Sequence, residues 1–204
     1  ENTYKSLFSY MPESQNFENA AALKKALEKL PRNFRFVIKP ALGIKGSGIQ
    51  IDTPINLLKN LPDKSYPYIL QEFVDTTLGI PGITTSIHDL RFISCNGKII
   101  LAALRIPAPG SLLANVAKGG SIKEIPLEKI PDDILDAVKE IHEHIEQLYP
   151  KSCYSMDFGY DANRRKVFLF ELNDRIGFPR PSMPHATLFA EELAKSIVDV
   201  SQKE

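Results

Sequence analysis

Three oxygen-bearing side chains lie in two apolar stretches near the end of the chain. Asp157 lies in Tyr-Ser-Met-Asp-Phe-Gly-Tyr, and Glu171 and Asn173 lie in Phe-Leu-Phe-Glu-Leu-Asn-Asp. Strand alternation puts Glu171 and Asn173 on one face. If residues 161–165 form a hairpin turn, antiparallel pairing brings Asp157 roughly opposite Glu171. Two carboxylates and a carboxamide without nearby Cys or His are typical of Mg²⁺ or Mn²⁺ sites; the alternative is a solvated strand edge.

A glycine-rich loop between two apparent strands is a second candidate site. Lys39 ends the first strand, and the loop that follows contains Lys45, Gly46, Ser47 and Gly48. Glycines let backbone N–H groups approach an anion, and the lysines add positive charge. A Walker loop would instead have Gly-Lys-Ser/Thr at the start of a helix. The pattern predicts a mobile cover over a polyphosphate that becomes ordered when nucleotide binds, with an ordinary surface turn as the alternative.

Hydrophobic patterning places these residues in an α+β protein. The Asn96-Gly97 pair predicts a type I′ turn between two strands, and Pro131 with Ile134, Val138 and Ile141 predicts an amphipathic helix. The predicted helices are 16–30, 55–61, 131–148 and 187–199, and the predicted strands are 35–39, 49–51, 68–74, 89–95, 98–105 and the two that carry Asp157 and Glu171.

Composition narrows the classes of function. The 204 residues, 43% of them hydrophobic, suffice for one large domain or two small lobes. The formal net charge is +0 and neither sign forms a long run, which argues against nucleic-acid binding. The sequence has no apolar run long enough for a membrane span. Cys95 and Cys153 lie inside apparent strands and are expected to be buried thiols of a reducing compartment, the cytoplasm.

The order of the motifs resembles an ATP-grasp domain over nearly the whole chain. The motifs that carry the resemblance are Val37 to Pro40 with the glycine-rich loop, Leu70 to Val74, Asp89-Leu90-Arg91, Arg105, Asn115 before Gly119-Gly120, Asp157, and Glu171-Leu172-Asn173 with Gly177-Phe178. They are most similar to the branch that contains the ribosomal-protein glutamate ligases and related amino-acid ligases. Two features depart from that pattern, namely the proline-rich stretch 178–184 and the missing N-terminal substrate-side domain.

The resemblance implies two α+β lobes, residues 1–70 and 71–204, whose antiparallel sheets sandwich ATP. The strand that links the lobes would contact adenine through Gln71 to Val74. Lys39, the glycine-rich loop with Lys45, and Arg105 would contact phosphates. The implied nucleotide-binding residues are Lys39, Lys45, Gly46, Ser47, Gly48, Gln71, Glu72, Phe73, Val74 and Asn115; the implied metal ligands are Asp157, Glu171 and Asn173; and the implied catalytic residues are Arg105 and Arg91.

The role of Arg91 stays open on the sequence alone. An unbulged hairpin register pairs Arg91 with Ala102 and Arg105 with His88, which places the two arginines on opposite faces. Both arginines reach one ligand only if the hairpin contains a bulge. The alternatives for Arg91 are a substrate or phosphate contact and an ion pair with Asp89.

The implied activity is an ADP-forming ligase that joins a small-molecule or peptide carboxylate to an amine through an acylphosphate, using ATP and Mg²⁺ or Mn²⁺. The alternatives are an ATP-grasp kinase that phosphorylates a hydroxyl and a non-catalytic nucleotide-binding module. Because the substrate-side domain is missing, this fragment is expected to bind ATP with Mg²⁺ but to ligate little. His142 and His144 are expected on a solvated helix face, and His185 is expected to be structural.

Overall fold

The computed structural model describes residues 7, 9–41, 47–61, 67–114, 119–174 and 176–201. Within these residues, nine strands form two antiparallel sheets: β1 (Ser14–Phe17), β2 (Phe36–Pro40), β3 (Gln50–Asp52), β4 (Tyr68–Glu72), β5 (Asp89–Cys95), β6 (Lys98–Ile106), β7 (Ser121–Ile125), β8 (Tyr154–Asp161) and β9 (Lys166–Asn173). The helices are α1 (Ala20–Leu27), α2 (Pro54–Lys59), α3 (Asp132–Leu148) and α4 (Ala186–Ser201), with a short 3₁₀ helix at Leu127–Lys129.

The chain divides into two compact units, a small unit of Met11–Val74 and a large unit of Glu1–Tyr10 with Asp75–Glu204. The small unit has a four-stranded sheet in the order β1-β4-β2-β3. Helices α1 and α2 pack on it. The buried residues of this core are Phe17, Leu23, Leu27, Ile38, Leu57, Tyr68 and Leu70.

The first helix begins later than the sequence predicted. Asn16 lies in β1, opposite Ile69 of β4, and is not a helix cap. Asn19 caps α1, and its side-chain oxygen accepts from the Ala22 amide at 3.0 Å. Both asparagines suit a cap chemically, and pairing with the central strand β4 decides between them because it satisfies the backbone groups at Asn16.

The large unit has a five-stranded sheet in the order β7-β6-β5-β8-β9, with a helix on each face. Helix α3 covers one face through Ile134, Val138, Ile141 and Ile145, as its helical spacing predicts. Helix α4 covers part of the other face through Phe189 and Leu193. In the part of the chain that the structure describes, no helix is both long and apolar enough to cross a membrane.

The predicted exposure of His142 is wrong. Its side chain is buried against the sheet, where the Tyr154 hydroxyl lies 2.6 Å and the Ser94 hydroxyl 3.3 Å from Nδ1. The reason is helical spacing, since His142 follows Val138 by one turn and therefore lies at the edge of the buried stripe. This histidine is structural, as polar groups inside a core need hydrogen-bond partners.

The two cysteines are paired as a disulfide, so the prediction of separate thiols is wrong. Ser94 of β5 pairs with Tyr154 of β8, and extending that antiparallel register by one residue brings Cys95 opposite Cys153. The sequence could not show this pairing because the strands are far apart in the chain. The inference of a reducing compartment, which depended on free thiols, loses that support.

Glu192 fixes α4 to the β5–β6 hairpin. Its carboxylate accepts from Asn96 Nδ2 at 2.9 Å, from Lys98 Nζ at 3.0 Å and from Lys195 Nζ at 3.0 Å. These hydrogen bonds, led by that from Asn96, lower the pKa of Glu192 to about 2. The charged form is therefore favoured in the folded state.

We expect Glu192→Gln to cost stability at neutral pH and progressively less in acid. Because the folded-state pKa is lowered, the stabilisation is complete above the ordinary value of 4.5 and is lost as the pH falls toward 2. Urea unfolding of both proteins across this range measures the difference in free energy. Glu191 is exposed, and Glu191→Gln is the matched control. A difference in unfolding free energy between the wild type and Glu192→Gln that does not change with pH would contradict the prediction.

Candidate functional site

A bulge in the β5–β6 hairpin puts both candidate arginines on one face of the sheet. The turn has the predicted form, with positive φ at Asn96 (54°) and Gly97 (75°). The register then shifts between Ile93 and Ser94, so that Arg91 lies opposite Ala103 and not Ala102. The extra residue is Ile100 of β6. Asp89 consequently pairs with Arg105, and the two arginines share a face.

A second bulge, in the β8–β9 hairpin, places the candidate metal ligands on that same face. Asp157 pairs with Glu171, as predicted, but Phe158 pairs with Leu169, and the extra residue is Phe170. Without the bulge, Asp157 would lie opposite Phe170. Asp157 also pairs with Arg91 of β5, so both hairpins contribute to one surface. We call it the site face; the polar residues on it that form the candidate site are Asp89, Arg91, Arg105, Ser155, Asp157, Glu171 and Asn173.

Gly159 makes room for the second bulge. A Cβ atom on this residue would lie 2.2 Å from Cζ of Phe170 and 3.0 Å from Cγ2 of Thr76. The Phe170 ring therefore occupies the space that a side chain would need. A glycine inside a strand often marks a bulge or a close approach, so Gly159 is a feature of the sequence that could have pointed to an irregularity here.

Gly159→Ala should destabilise the protein by about 1–3 kcal/mol, the usual cost of overpacking, because the Phe170 ring must move. Chemical unfolding measures this loss. Gly177→Ala is the control, since no atom lies within 4 Å of its added Cβ. Equal stability of the two variants would show that the bulge tolerates a side chain at Gly159.

The centre of the site face is a cluster of two aspartates and two arginines. Arg91 donates from Nε to Oδ1 of Asp157 at 2.7 Å and from Nη2 to Oδ2 at 2.6 Å. Arg105 reaches Oδ2 of Asp157 at 2.7 Å and makes a two-point contact with Asp89. Arg91 is thus paired with Asp157, and the predicted alternative of a pair with Asp89 is wrong.

Burial shapes the charges of this cluster. The side chain of Asp157 is 3% exposed, and those of Asp89 and Arg105 are 14% and 13% exposed. Burial, followed by repulsion from Asp157, raises the pKa of Asp89 above its usual range against the opposing effect of Arg105. The two carboxylates raise the pKa of Arg105 against the effect of its burial, so its guanidinium stays charged.

In the small unit, β2 and β4 lie side by side and carry most of the other candidates. Lys39 of β2 lies opposite Ile69. The Gln71 amide donates to Ser14 Oγ at 2.8 Å, and Glu72 Oε1 accepts from the Glu13 amide at 3.1 Å. The side chains of both β4 residues are therefore held by the segment around β1, which the sequence analysis had not identified as a strand.

The remaining candidates of the small unit lie at the ends of these strands. Val74 is buried, and Phe73 has the Arg35 guanidinium 5.9 Å from its ring centre. Ser47 and Gly48 are exposed, and Gly48 has a φ of 76°, a conformation that favours glycine. Three predicted residues, Lys45, Gly46 and Asn115, lie outside the described residues.

Comparison with known proteins shows the fold. No family model and no curated protein sequence matches this chain. Among solved structures it is similar to D-alanyl-alanine synthetase A from Vibrio cholerae, with a TM-score of 0.70 and 15% identity over 96% of this chain and 62% of that one. It is also similar to D-cycloserine synthetase DcsG, with a TM-score of 0.60 and 15% identity over 97% and 67%.

A third similar structure is the ATP-grasp ligase PsnB complexed with minimal precursor, Mg and ADP, with a TM-score of 0.57 and 16% identity over 91% of this chain and 53% of that one. The chain has the ATP-grasp fold. It spans about half to two thirds of the length of these proteins. At such identity the likeness establishes architecture, and the activity must be argued from the residues.

The donor set on the site face fits a magnesium ion of the kind found with the ATP-grasp ligase PsnB. Asp157, Glu171 and Asn173 can offer a metal two carboxylates and one amide oxygen. Elsewhere among the described residues, no group of three or more His, Cys, Asp or Glu side chains could hold a metal ion. A carboxylate has about four lone-pair positions, and the arginines occupy three on Asp157. Oδ1 therefore retains one position for a cation.

Two features of this chain escaped the sequence analysis. Asp89 positions Arg105, and its place two residues before Arg91 was the available signal, misread as a partner for Arg91. His185 contacts Glu124 of β7 with both its backbone amide and its ring. That contact ties the start of α4 to the sheet edge and agrees with a structural role for His185.

Proposed function

We propose that this chain provides the nucleotide-binding and phosphoryl-transfer residues of an ATP- and Mg²⁺-dependent ligase that joins a carboxylate to an amine. The observation that carries the proposal is the site face, where oxygen ligands for a cation lie beside two arginines held by carboxylates. Such an arrangement suits phosphoryl transfer, in which fixed positive charge stabilises the phosphate oxygens. The ATP-grasp fold supports it, since the similar proteins PsnB and D-alanyl-alanine synthetase A are a ligase and a synthetase.

The two arginines are oriented for this role by their aspartates. Each uses Nε and Nη2 for its recorded carboxylate contacts. The Nη1 groups, with two N–H donors each, make no hydrogen bond or ion pair among the described residues. Arg105 and Arg91 would present these donors to the transferred phosphoryl group. Rigid carboxylate pairs reduce the reorganisation needed during the reaction.

The proposed reaction has two steps. The substrate carboxylate attacks the γ-phosphorus and the bond to the β-phosphate oxygen breaks, which gives an acylphosphate and ADP. The amine nitrogen then attacks the acyl carbon, phosphate leaves, and the nitrogen loses a proton. When bound by Asp157, Glu171 and Asn173, Mg²⁺ would supply positive charge to the phosphate oxygens.

The small unit would bind the rest of the nucleotide. Gln71 to Val74 would contact adenine through their backbone, and Lys39 with the loop from Lys45 to Gly48 would contact phosphates. Asn115 would add a polar contact. In support, Ser14 and Glu13 hold the Gln71 and Glu72 side chains, which fixes the orientation of these two residues of β4. The division of the chain into two functional lobes and the glutamate-ligase branch are also part of this proposal.

The deciding experiment traps the intermediate. The chain, or a longer protein that contains it, is incubated with ATP, Mg²⁺, hydroxylamine and a panel of amino acids and short peptides. Ligase chemistry predicts ADP release together with an acyl hydroxamate, because hydroxylamine intercepts an acylphosphate. ADP release that depends on an alcohol and yields a stable phosphate ester would indicate a kinase. Nucleotide binding without ADP release under any condition would indicate a binding module.

A further inference from the structure

Two buried polar groups on the site face have no hydrogen-bond partner among the described residues. They are the hydroxyl oxygen of Ser155 and the side-chain nitrogen of Asn173. Ser155 is completely buried. Leaving a buried donor or acceptor unpaired is costly, and the great majority of such groups in proteins are paired. Two of them on neighbouring strands therefore call for a common explanation.

The register explains why they belong together. Ser155 of β8 lies directly opposite Asn173 of β9, one step along the face from the pair of Asp157 and Glu171. The structure holds no hydrogen bond between these two groups, but opposed residues on antiparallel strands have Cβ atoms about 4.5–5.5 Å apart, a spacing that a side-chain hydrogen bond can bridge. The Asn173 nitrogen is a donor and the Ser155 oxygen can accept, so each group supplies what the other lacks.

We infer that Ser155 is a positioning residue that fixes which end of the Asn173 amide faces the cation. The oxygen and nitrogen ends of an amide have nearly the same shape, and only hydrogen bonding decides between them. When Nδ2 donates to the Ser155 hydroxyl, Oδ1 turns to the side of Asp157 and Glu171. The inference rests on the proposed function, since it gives Asn173 a cation to bind.

The test compares Mn²⁺ affinity in the presence of a non-hydrolysable ATP analogue, measured by electron paramagnetic resonance. Ser155→Ala should weaken Mn²⁺ binding about 10-fold, the lower end of the effect seen when a residue that orients a ligand is removed. Ser155→Thr keeps the hydroxyl and should retain the affinity. Ser94→Ala is the matched control, because Ser94 is also buried in this sheet but its hydroxyl bonds to the Lys98 carbonyl on the α3 side.

A spectroscopic readout separates positioning from general destabilisation. In nuclear magnetic resonance spectra, the side-chain amide signals of Asn173 are assigned by their loss in Asn173→Ala. They should shift in Ser155→Ala and stay in place in Ser94→Ala. If the wild type binds Mn²⁺ with nucleotide and Ser155→Ala binds it with the same affinity, this inference alone is overturned. Equal weakening in the alanine and threonine variants would also overturn it. A wild-type protein that binds no Mn²⁺ with nucleotide would overturn the proposed function and the inference with it.

Discussion

Replacing Glu171 with glutamine should lower ATP turnover by about 100-fold, equivalent to about 2.7 kcal/mol of transition-state stabilisation. The substitution keeps the shape of the side chain and removes one negative charge from the proposed cation site. Glu171 is exposed on β9 and makes no ion pair among the described residues, so the fold should not depend on its charge. ADP release at saturating ATP and a series of Mg²⁺ concentrations measures the effect.

Glu143→Gln is the control for this charge change. Glu143 is exposed on α3, which packs against the opposite face of the same sheet. Its replacement should leave turnover within about twofold, since an exposed charge on the far side of a sheet is screened by solvent and salt. Full turnover by Glu171→Gln at saturating Mg²⁺ would remove Glu171 from the proposed set of ligands.

Asp157→Asn should destabilise the folded protein by about 3–5 kcal/mol, the usual cost of removing one partner from a buried ion pair. Asp157 is the common partner of Arg91 and Arg105. The neutral amide would leave the two partly buried guanidiniums with one carboxylate ion pair among the described residues, that of Arg105 with Asp89. Urea unfolding followed by circular dichroism, with the slope of the transition checked for constancy, measures the loss.

Asp136→Asn is the matched control for Asp157→Asn. Asp136 forms an exposed pair with Lys139 at 3.7 Å on the surface of α3. Exposed pairs contribute about 0–1 kcal/mol, so this variant should remain close to the wild type. If Asp157→Asn were equally mild, the arginines would be stabilised by solvent or by Asp89, and the cluster would not hold the site face together.

Elements with strong local signals were predictable from the sequence. The Asn96-Gly97 turn follows from the need for positive φ at both positions, and α3 follows from its apolar spacing. The two bulges were not predictable in position, because each depends on how a strand packs against neighbours distant in the chain. Gly159 was a signal, but it does not by itself say which residue of the partner strand is extra.

Contacts between distant segments account for the other errors. Strand β1 forms because β4 offers it an edge, and that edge is invisible in the local pattern around Asn16. The pairing of Cys95 with Cys153 likewise depends on β5 lying beside β8. The residue types of the candidate site could be proposed from the sequence, whereas the pairing of its charges required the register. Arg91 shows this most clearly, since its partner is Asp157 on the neighbouring strand β8 and not Asp89, two residues away in the chain.

The Ile100 bulge has a consequence for how the length of this hairpin can vary. Deleting Ile100 would remove the bulge and leave Ile93 opposite Leu101, so Arg91 and Arg105 would still share the site face. Two spacings between the Asp-Leu-Arg motif and the second arginine are therefore geometrically equivalent. Any search for relatives of this chain by motif spacing should allow one residue fewer between the Asp-Leu-Arg motif and the second arginine.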